Sequence, residues 1–214
     1  MLRTRTRLAL RAVGLIAALV LAPPTMADAG RTVTWKVVGI IDGQAVPFTT
    51  AAYFPRPLVA GEIVEMTFKV NPGATGSITG SYASYEGAIS SVKVTGSDWV
   101  IPMRAPLARG AIIITNDDPD YGDSLALVAD TSAVAGRTWY SVDVDMSNPG
   151  GPHPGVGPWA PFTSLALPKV PPALGYFPNT VFYVIARRDV GGQPVDGGAY
   201  YGHVLSVSAQ RSDD

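Results

Sequence analysis

The chain has 214 residues, with 16 Lys+Arg against 17 Asp+Glu, a formal net charge of −1 and no cysteine. Such a balance argues against a nucleic-acid partner, which calls for a basic stripe. The lack of cysteine excludes a disulfide framework and lipid attachment at a cysteine, so packing or a metal must supply the stability.

Arg3, Arg5, Arg7 and Arg11 give a basic start, followed by an apolar stretch from Ala12 to Ala22 that Pro23 and Pro24 break. This is too short to span a bilayer, which takes about 20 apolar residues. It reads as a secretory signal peptide over residues 1–29, cleaved after Ala29 or after Ala27. Removal of 1–29 would leave 12 Lys+Arg and 16 Asp+Glu, a net charge of −4. The remainder is enough for one domain whose burial on folding is around 70%. A bacterial export route fits, with the mature protein secreted, periplasmic or at the cell surface.

From Thr32 onward helical periodicity is nearly absent, and Gly or Pro punctuates short alternating segments. Val33–Ile41 reads as a strand with Trp35 facing the core, and Asp42-Gly43 as a hairpin turn that returns Gln44–Thr50 beside it. Val64, Met66, Phe68 and Val70 alternate with Glu65, Thr67 and Lys69, the pattern of a half-buried strand. Ser77–Tyr82 and Ala88–Thr95 are two further short strands, and Trp99–Met103 a third.

The centre is Ala111–Asp130, where two apolar runs, Ala111–Thr115 and Ser124–Ala129, flank an acidic loop. The first run is β-branched and unbroken, as in a strand covered on both faces, and the second alternates. Tyr140, Val142, Val144 and Met146 then face one way, with Ser141, Asp143 and Asp145 facing the other. Asn148 to Pro161, with five prolines and four glycines, reads as loop. A short strand at Leu165–Leu167, then Val181–Ala186 and Tyr200–Ala209, joined through a Gly191–Gly198 turn region, complete the set. About ten strands at this spacing predict an all-β fold. The expected architecture is a single antiparallel β-sandwich, jelly-roll or Ig-like, over residues 30–209, with a polar tail at 210–214.

Several stretches carry a resemblance. Gly61-Glu-Ile-Val-Glu-Met-Thr-Phe resembles a V-G-x-x-V-x-G-x-F-x-Y strand, and Gly87-Ala-Ile-Ser-Ser-Val-Lys-Val-Thr a G-A-I-x-S/N-x-x-V-x strand. Ile112–Asn116 with Asp123-Ser124 resembles an I-x-V-x-N-D…D-S segment, and Leu165–Pro168 an A-L-P element. In this order they are similar to uncharacterised bacterial exported β-sandwich proteins, many carrying a PEP-CTERM sorting tail. The chain departs from that pattern by ending in Gln210-Arg-Ser-Asp-Asp and by lacking an Asp after Tyr82. The resemblance implies the fold and an exported, matrix-associated role, and no activity.

Two groups of residues are candidates for chemistry. Asn116, Asp117, Asp118, Asp120 and Asp123 place five oxygen-bearing side chains in one loop, the ligand type calcium takes. With Asp118 as position 1, an EF-hand would put Gly122 at position 5 and Ala129 at position 12, so the loop fails that test. The plain alternative is a solvated hairpin loop whose Asp and Asn cap turns. The second group is aromatic: Trp99, Trp139, Trp159, Tyr200 and Tyr201, whose rings could stack on sugars or else cover the ends of the domain.

Asp143 and Asp145 share an outward face, where solvation is the ordinary role, and Glu62, Glu65 and Glu86 lie on separate elements. His153 and His203 have no ligand-spaced partner, and no G-x-S-x-G elbow, P-loop or dinucleotide fingerprint occurs. The expectation is therefore an exported non-catalytic protein that binds or serves structurally at the cell surface or in secreted matrix, stabilised by calcium if the loop takes it. Its expected partner is an extracellular polysaccharide or a surface protein. The alternative is a carbohydrate-binding or carbohydrate-active protein using surface aromatics and convergent carboxylates.

Overall fold

The computed structural model describes residues 32–46, 54, 56–101, 103, 106–118, 122–131, 138–148, 162, 164–190 and 193–211. The expected signal peptide, and Trp159 with most of its Pro/Gly loop, lie outside these.

The described residues form eleven strands: β1 Val33–Val46, β2 Ile63–Val70, β3 Ser77–Thr79, β4 Tyr82–Glu86, β5 Ile89–Thr95, β6 Val100–Ile101, β7 Leu107–Asp118, β8 Gly122–Thr131, β9 Thr138–Asn148, β10 Asn179–Val190 and β11 Gln193–Arg211. One 3-10 turn spans Leu174–Tyr176. Among the described residues no helix is long and apolar enough to cross a membrane. The fold is all-β and antiparallel, as the alternation predicts.

All eleven strands join one sheet in the order β3-β4-β7-β8-β9-β10-β11-β1-β2-β5-β6. That order sets β4 and β5 near opposite ends, yet only Gly87 and Ala88 separate them in sequence. Two residues span only about 7 Å, so the sheet must curl until its ends meet. They do: Gly110 of β7 lies directly against the Ile89 carbonyl of β5. Gly87 takes a φ of 78° at the crossing, a conformation that costs glycine nothing.

The concave side is the core. In β2 the burial pattern eBiBiBeB hides Val64, Met66, Phe68 and Val70. Ile112, Ile114, Leu125, Leu127, Val142, Val144, Met146, Phe182 and Val184 are fully buried on the strands that face it. Trp35, read as core from its alternation, has no exposed surface. Ala111, Ile112 and Ile114 are likewise fully enclosed and Thr115 nearly so, while Ile113 is half-buried, so the strand is covered on one face and nearly so on the other. Burial of a large apolar side chain contributes about 1.5–3 kcal/mol, so this continuous apolar surface is the main source of stability.

Four local expectations are corrected. Asp42-Gly43 is not a hairpin turn, because β1 runs through it to Val46 and keeps its pairing with β11 on both sides. The register slips there, making Asp42 the extra residue of a bulge. Ser77–Tyr82 is not one strand: Gly80, at a φ of 57°, turns the chain between β3 and β4 so that Thr79 pairs with Tyr82. Leu165–Leu167 forms bends instead of a strand, although both leucines pack against the core. β11 starts at Gln193, well inside the expected Gly191–Gly198 turn region, with Val190 paired to Gln193.

Candidate functional site

The expected acidic loop is mostly strand: Asn116, Asp117 and Asp118 close β7 and Asp123 stands at the start of β8, with Asp118 paired to Gly122. Asp123 is buried there, 6% exposed, and its carboxylate holds backbone. Oδ1 accepts the Asp117 N–H at 2.7 Å and Oδ2 the Phe162 N–H at 3.4 Å. Asp117 sits at a φ of 53°, the left-handed region that Asp tolerates better than most residues. Thr115 Oγ1 bonds the Gly122 carbonyl at 2.9 Å across the same turn. Asn116 enters through its backbone, its N–H bonded to Ser81 O, while its buried Oδ1 has no partner. The side chains of Asp118 and Asp120 lie outside the described structure. Among the described residues no three His, Cys, Asp or Glu side chains converge as metal ligands. Among the described residues Asp123 serves as a backbone acceptor within a hydrogen-bonded turn.

The aromatic group is divided. Trp99 is 4% exposed, and its indole N–H donates to a Glu62 carboxylate oxygen. Arg56 grips the same carboxylate at 2.8 and 3.1 Å and Asp98 at 2.6 and 3.2 Å, tying the segment before β2 to the turn before β6. Burial alone would raise the Glu62 carboxyl. Hydrogen bonds from Arg56, Trp99 and the Val59 N–H, with the Arg56 charge, hold it below the usual carboxylate range. Tyr200 is 2% exposed; its hydroxyl accepts the Leu58 N–H at 3.1 Å and meets Gln44 Nε2 at 3.2 Å. Its ring packs edge-on to Phe54. Trp99 and Tyr200 therefore offer no free face to a sugar.

Trp139 and Tyr201 behave differently. Both are half-buried on the convex side of the sheet, with the neighbouring residues Tyr140 and Tyr200 pointing into the core. Arg187, paired across from Trp139, lies over its ring at 5.4 Å. Tyr201 belongs to a row at right angles to the strands. Val128 pairs with Asp143, Asp143 with Tyr183, Tyr183 with Tyr201, and Tyr201 with Gly43. Paired neighbours stand about 4.8 Å apart, so one carboxylate and two phenol rings line up on one surface. Gly43 leaves room at the end of the row, where a Cβ would stand 3.3 Å from the Tyr201 ring.

Two further groups flank this row. Asp145 lies two residues beyond Asp143 on the same face and is exposed. His203, two residues beyond Tyr201, bonds through Nδ1 to both oxygens of Asp42 at 2.9 and 3.0 Å. Asp42 reaches His203 because it is the extra residue of the bulge.

Burial pushes the Asp143 carboxyl up to about 6, with the Asp130 and Asp145 charges adding and Arg109 and Arg187 opposing. Its buried Oδ1 has no hydrogen-bond partner. The sequence points to Asp143 and His203 only as solvated or isolated residues. Tyr183, odd-numbered like Val181 and Ile185 beside it, is outward-facing by alternation but carries no motif. What joins them is the register across four strands.

The glutamates are each committed to a cation: Glu62 to Arg56, Glu65 to Lys36 at 2.6 Å, and Glu86 to Arg109 at 3.1 Å. Carboxylates that cleave a glycosidic bond must flank it across a cleft, and these three are instead spread through separate ion pairs. Fold and site together define an all-β protein with a closed core and a convex face of aromatic and acceptor side chains. Comparison with known proteins finds no matching family model, no matching curated protein and no matching solved structure.

Proposed function

We propose that the chain is an exported, non-catalytic binding protein, working at the cell surface or in secreted matrix, whose convex face over β9, β10, β11 and β1 takes a neutral polysaccharide. The row Asp143–Tyr183–Tyr201 carries this reading. Tyrosine rings offer apolar faces with polar tips, and Asp143 and Asp145 supply acceptors. A surface of acceptors suits a ligand rich in hydroxyl donors and repels one rich in carboxylates. Export rests on the basic, apolar and proline-broken N-terminal sequence. In the same reading the curled sheet works as a β-sandwich, its two ends packed as layers, which the β4–β5 crossing through Gly87 and Ala88 supports.

The carbohydrate-active alternative has less behind it: Glu62, Glu65 and Glu86 neutralise cations, and Asp143 and Asp145 are neighbours on one face of the single strand β9 instead of flanking a cleft. Affinity electrophoresis through gels holding neutral or uronate-rich polysaccharides tests the proposal. Retardation in a neutral polysaccharide, reduced about 2–10-fold by Tyr183→Ala or Tyr201→Ala with the melting temperature kept, is the expected result. Unretarded migration in every neutral polysaccharide would remove the reading.

A further inference from the structure

The unpartnered carboxylate of Asp143 points to a role separate from ligand contact. Its Oδ1 is buried and has no hydrogen-bond partner among the described residues. On β8 the facing residue is Val128, and on β10 it is Tyr183. Asp130 of β8 pairs with Ser141, so it stands diagonally from Asp143 on the same face, about 7–8 Å away by sheet geometry. Asp145 is the next outward residue of β9, and Tyr201 lies beyond Tyr183 in the row.

Among the described residues, the cations acting on Asp143 are Arg109 and Arg187, and both are held elsewhere. Arg109 of β7 bonds Glu86 at 3.1 Å, and Arg187 of β10 stacks on Trp139. An ionised Asp143 therefore loses water without gaining a partner, beside two other carboxylates. A protonated one loses far less hydration on burial and feels no repulsion from the other carboxylates.

We infer that Asp143 is a proton-sensitive element of the sheet, which makes the β8–β9–β10 segment more stable in mildly acidic surroundings than at neutral pH. The direction follows from linkage. The carboxyl is raised from 3.8 to about 6 in the folded chain, so the folded state holds the proton more tightly than the unfolded one. This contribution is fully present below the unfolded value and is lost as pH rises through the folded value. A shift of this size corresponds to about a tenfold to hundredfold change in the folding equilibrium constant across that window. The device does not depend on the polysaccharide reading and would operate with no ligand present.

Urea unfolding of the full chain and its Asp143→Asn variant at pH 5.0, 6.0 and 7.5 tests the inference. The amide keeps the shape and removes the charge, and comparison of the two proteins subtracts every other titrating group. The expected result is a wild-type midpoint that falls between pH 5.0 and 7.5, and a variant that falls less and exceeds wild type at pH 7.5. Equal falls in the two proteins, or a variant weaker than wild type at pH 7.5, would overturn it. Should the variant fail to fold, the side-chain carboxyl carbon of Asp143, followed by NMR titration of the wild type, decides. An inflection near 6 supports the inference, and one at the ordinary value near 4 refutes it.

Discussion

Gly110 of β7 lies against the carbonyl of Ile89 in β5, closer than any side chain would allow, and this contact joins the two ends of the curled sheet. The neighbours are backbone, which cannot swing aside as the tip of a flexible side chain can. Gly110→Ala is expected to destabilise the protein by about 1–3 kcal/mol, the usual range for overpacking. Gly175, in the 3-10 turn, has nothing within 4 Å of the place a methyl group would occupy, and serves as the control. Urea midpoints should fall for Gly110→Ala and stay nearly unchanged for Gly175→Ala.

A second close approach lies under the convex face. Gly39 of β1 and Gly202 of β11 both leave space for the Phe182 ring, which is fully buried. A Cβ at Gly202 would also meet the Ile40 carbonyl. Because Gly202 stands between Tyr201 and His203, Gly202→Ala should lower both the melting temperature and ligand retardation. A binding loss without a change in melting would contradict this packing role.

Asp123 is a structural acceptor whose oxygens hold two backbone N–H groups. Asp123→Ala should cost about 1–3 kcal/mol, the penalty for leaving buried donors unmade. The same loss is expected in millimolar calcium and in chelator. A wild-type melt raised several degrees by calcium, and a rise absent from the variant, would return the loop to metal binding.

The Arg56–Glu62–Asp98–Trp99 cluster predicts the behaviour at low pH. Glu62 is held below its ordinary range, so its contribution is present above the unfolded value of 4.5 and lost as pH falls through the lower folded value. Glu86, lowered chiefly by its bond from Arg109, acts in the same direction. Acid unfolding below about pH 4 should therefore begin earlier in Glu62→Gln than in wild type. The Glu62 side chain is only 8% exposed, and losing its charge leaves Arg56 and Trp99 poorly matched. Fluorescence of Trp99 against pH would follow the transition.

The strands were legible because alternation is local. Val64 to Val70 shows its buried face in the sequence, and so does Trp35. The closure was not, since nothing local states that Glu86 and Ile89 belong to opposite ends of one sheet. Asp42-Gly43 misleads for the same reason: the dipeptide favours a turn, but pairing with β11 on both sides keeps it in the strand. The candidate site was hidden more deeply. Asp143, Tyr183 and Tyr201 are far apart in sequence, and only strand register places them side by side. Conversely, Trp99 and Tyr200 look like surface aromatics until Glu62 and Leu58 give their polar atoms partners inside.

The most direct measurement is NMR titration of the labelled protein with a soluble oligomer of a retained neutral polysaccharide. Shift changes are expected to concentrate at Asp143, Asp145, Tyr183, Tyr201 and His203, on the convex face. Changes confined to the opposite edge, around β3 and β6, with that row unmoved, would contradict it.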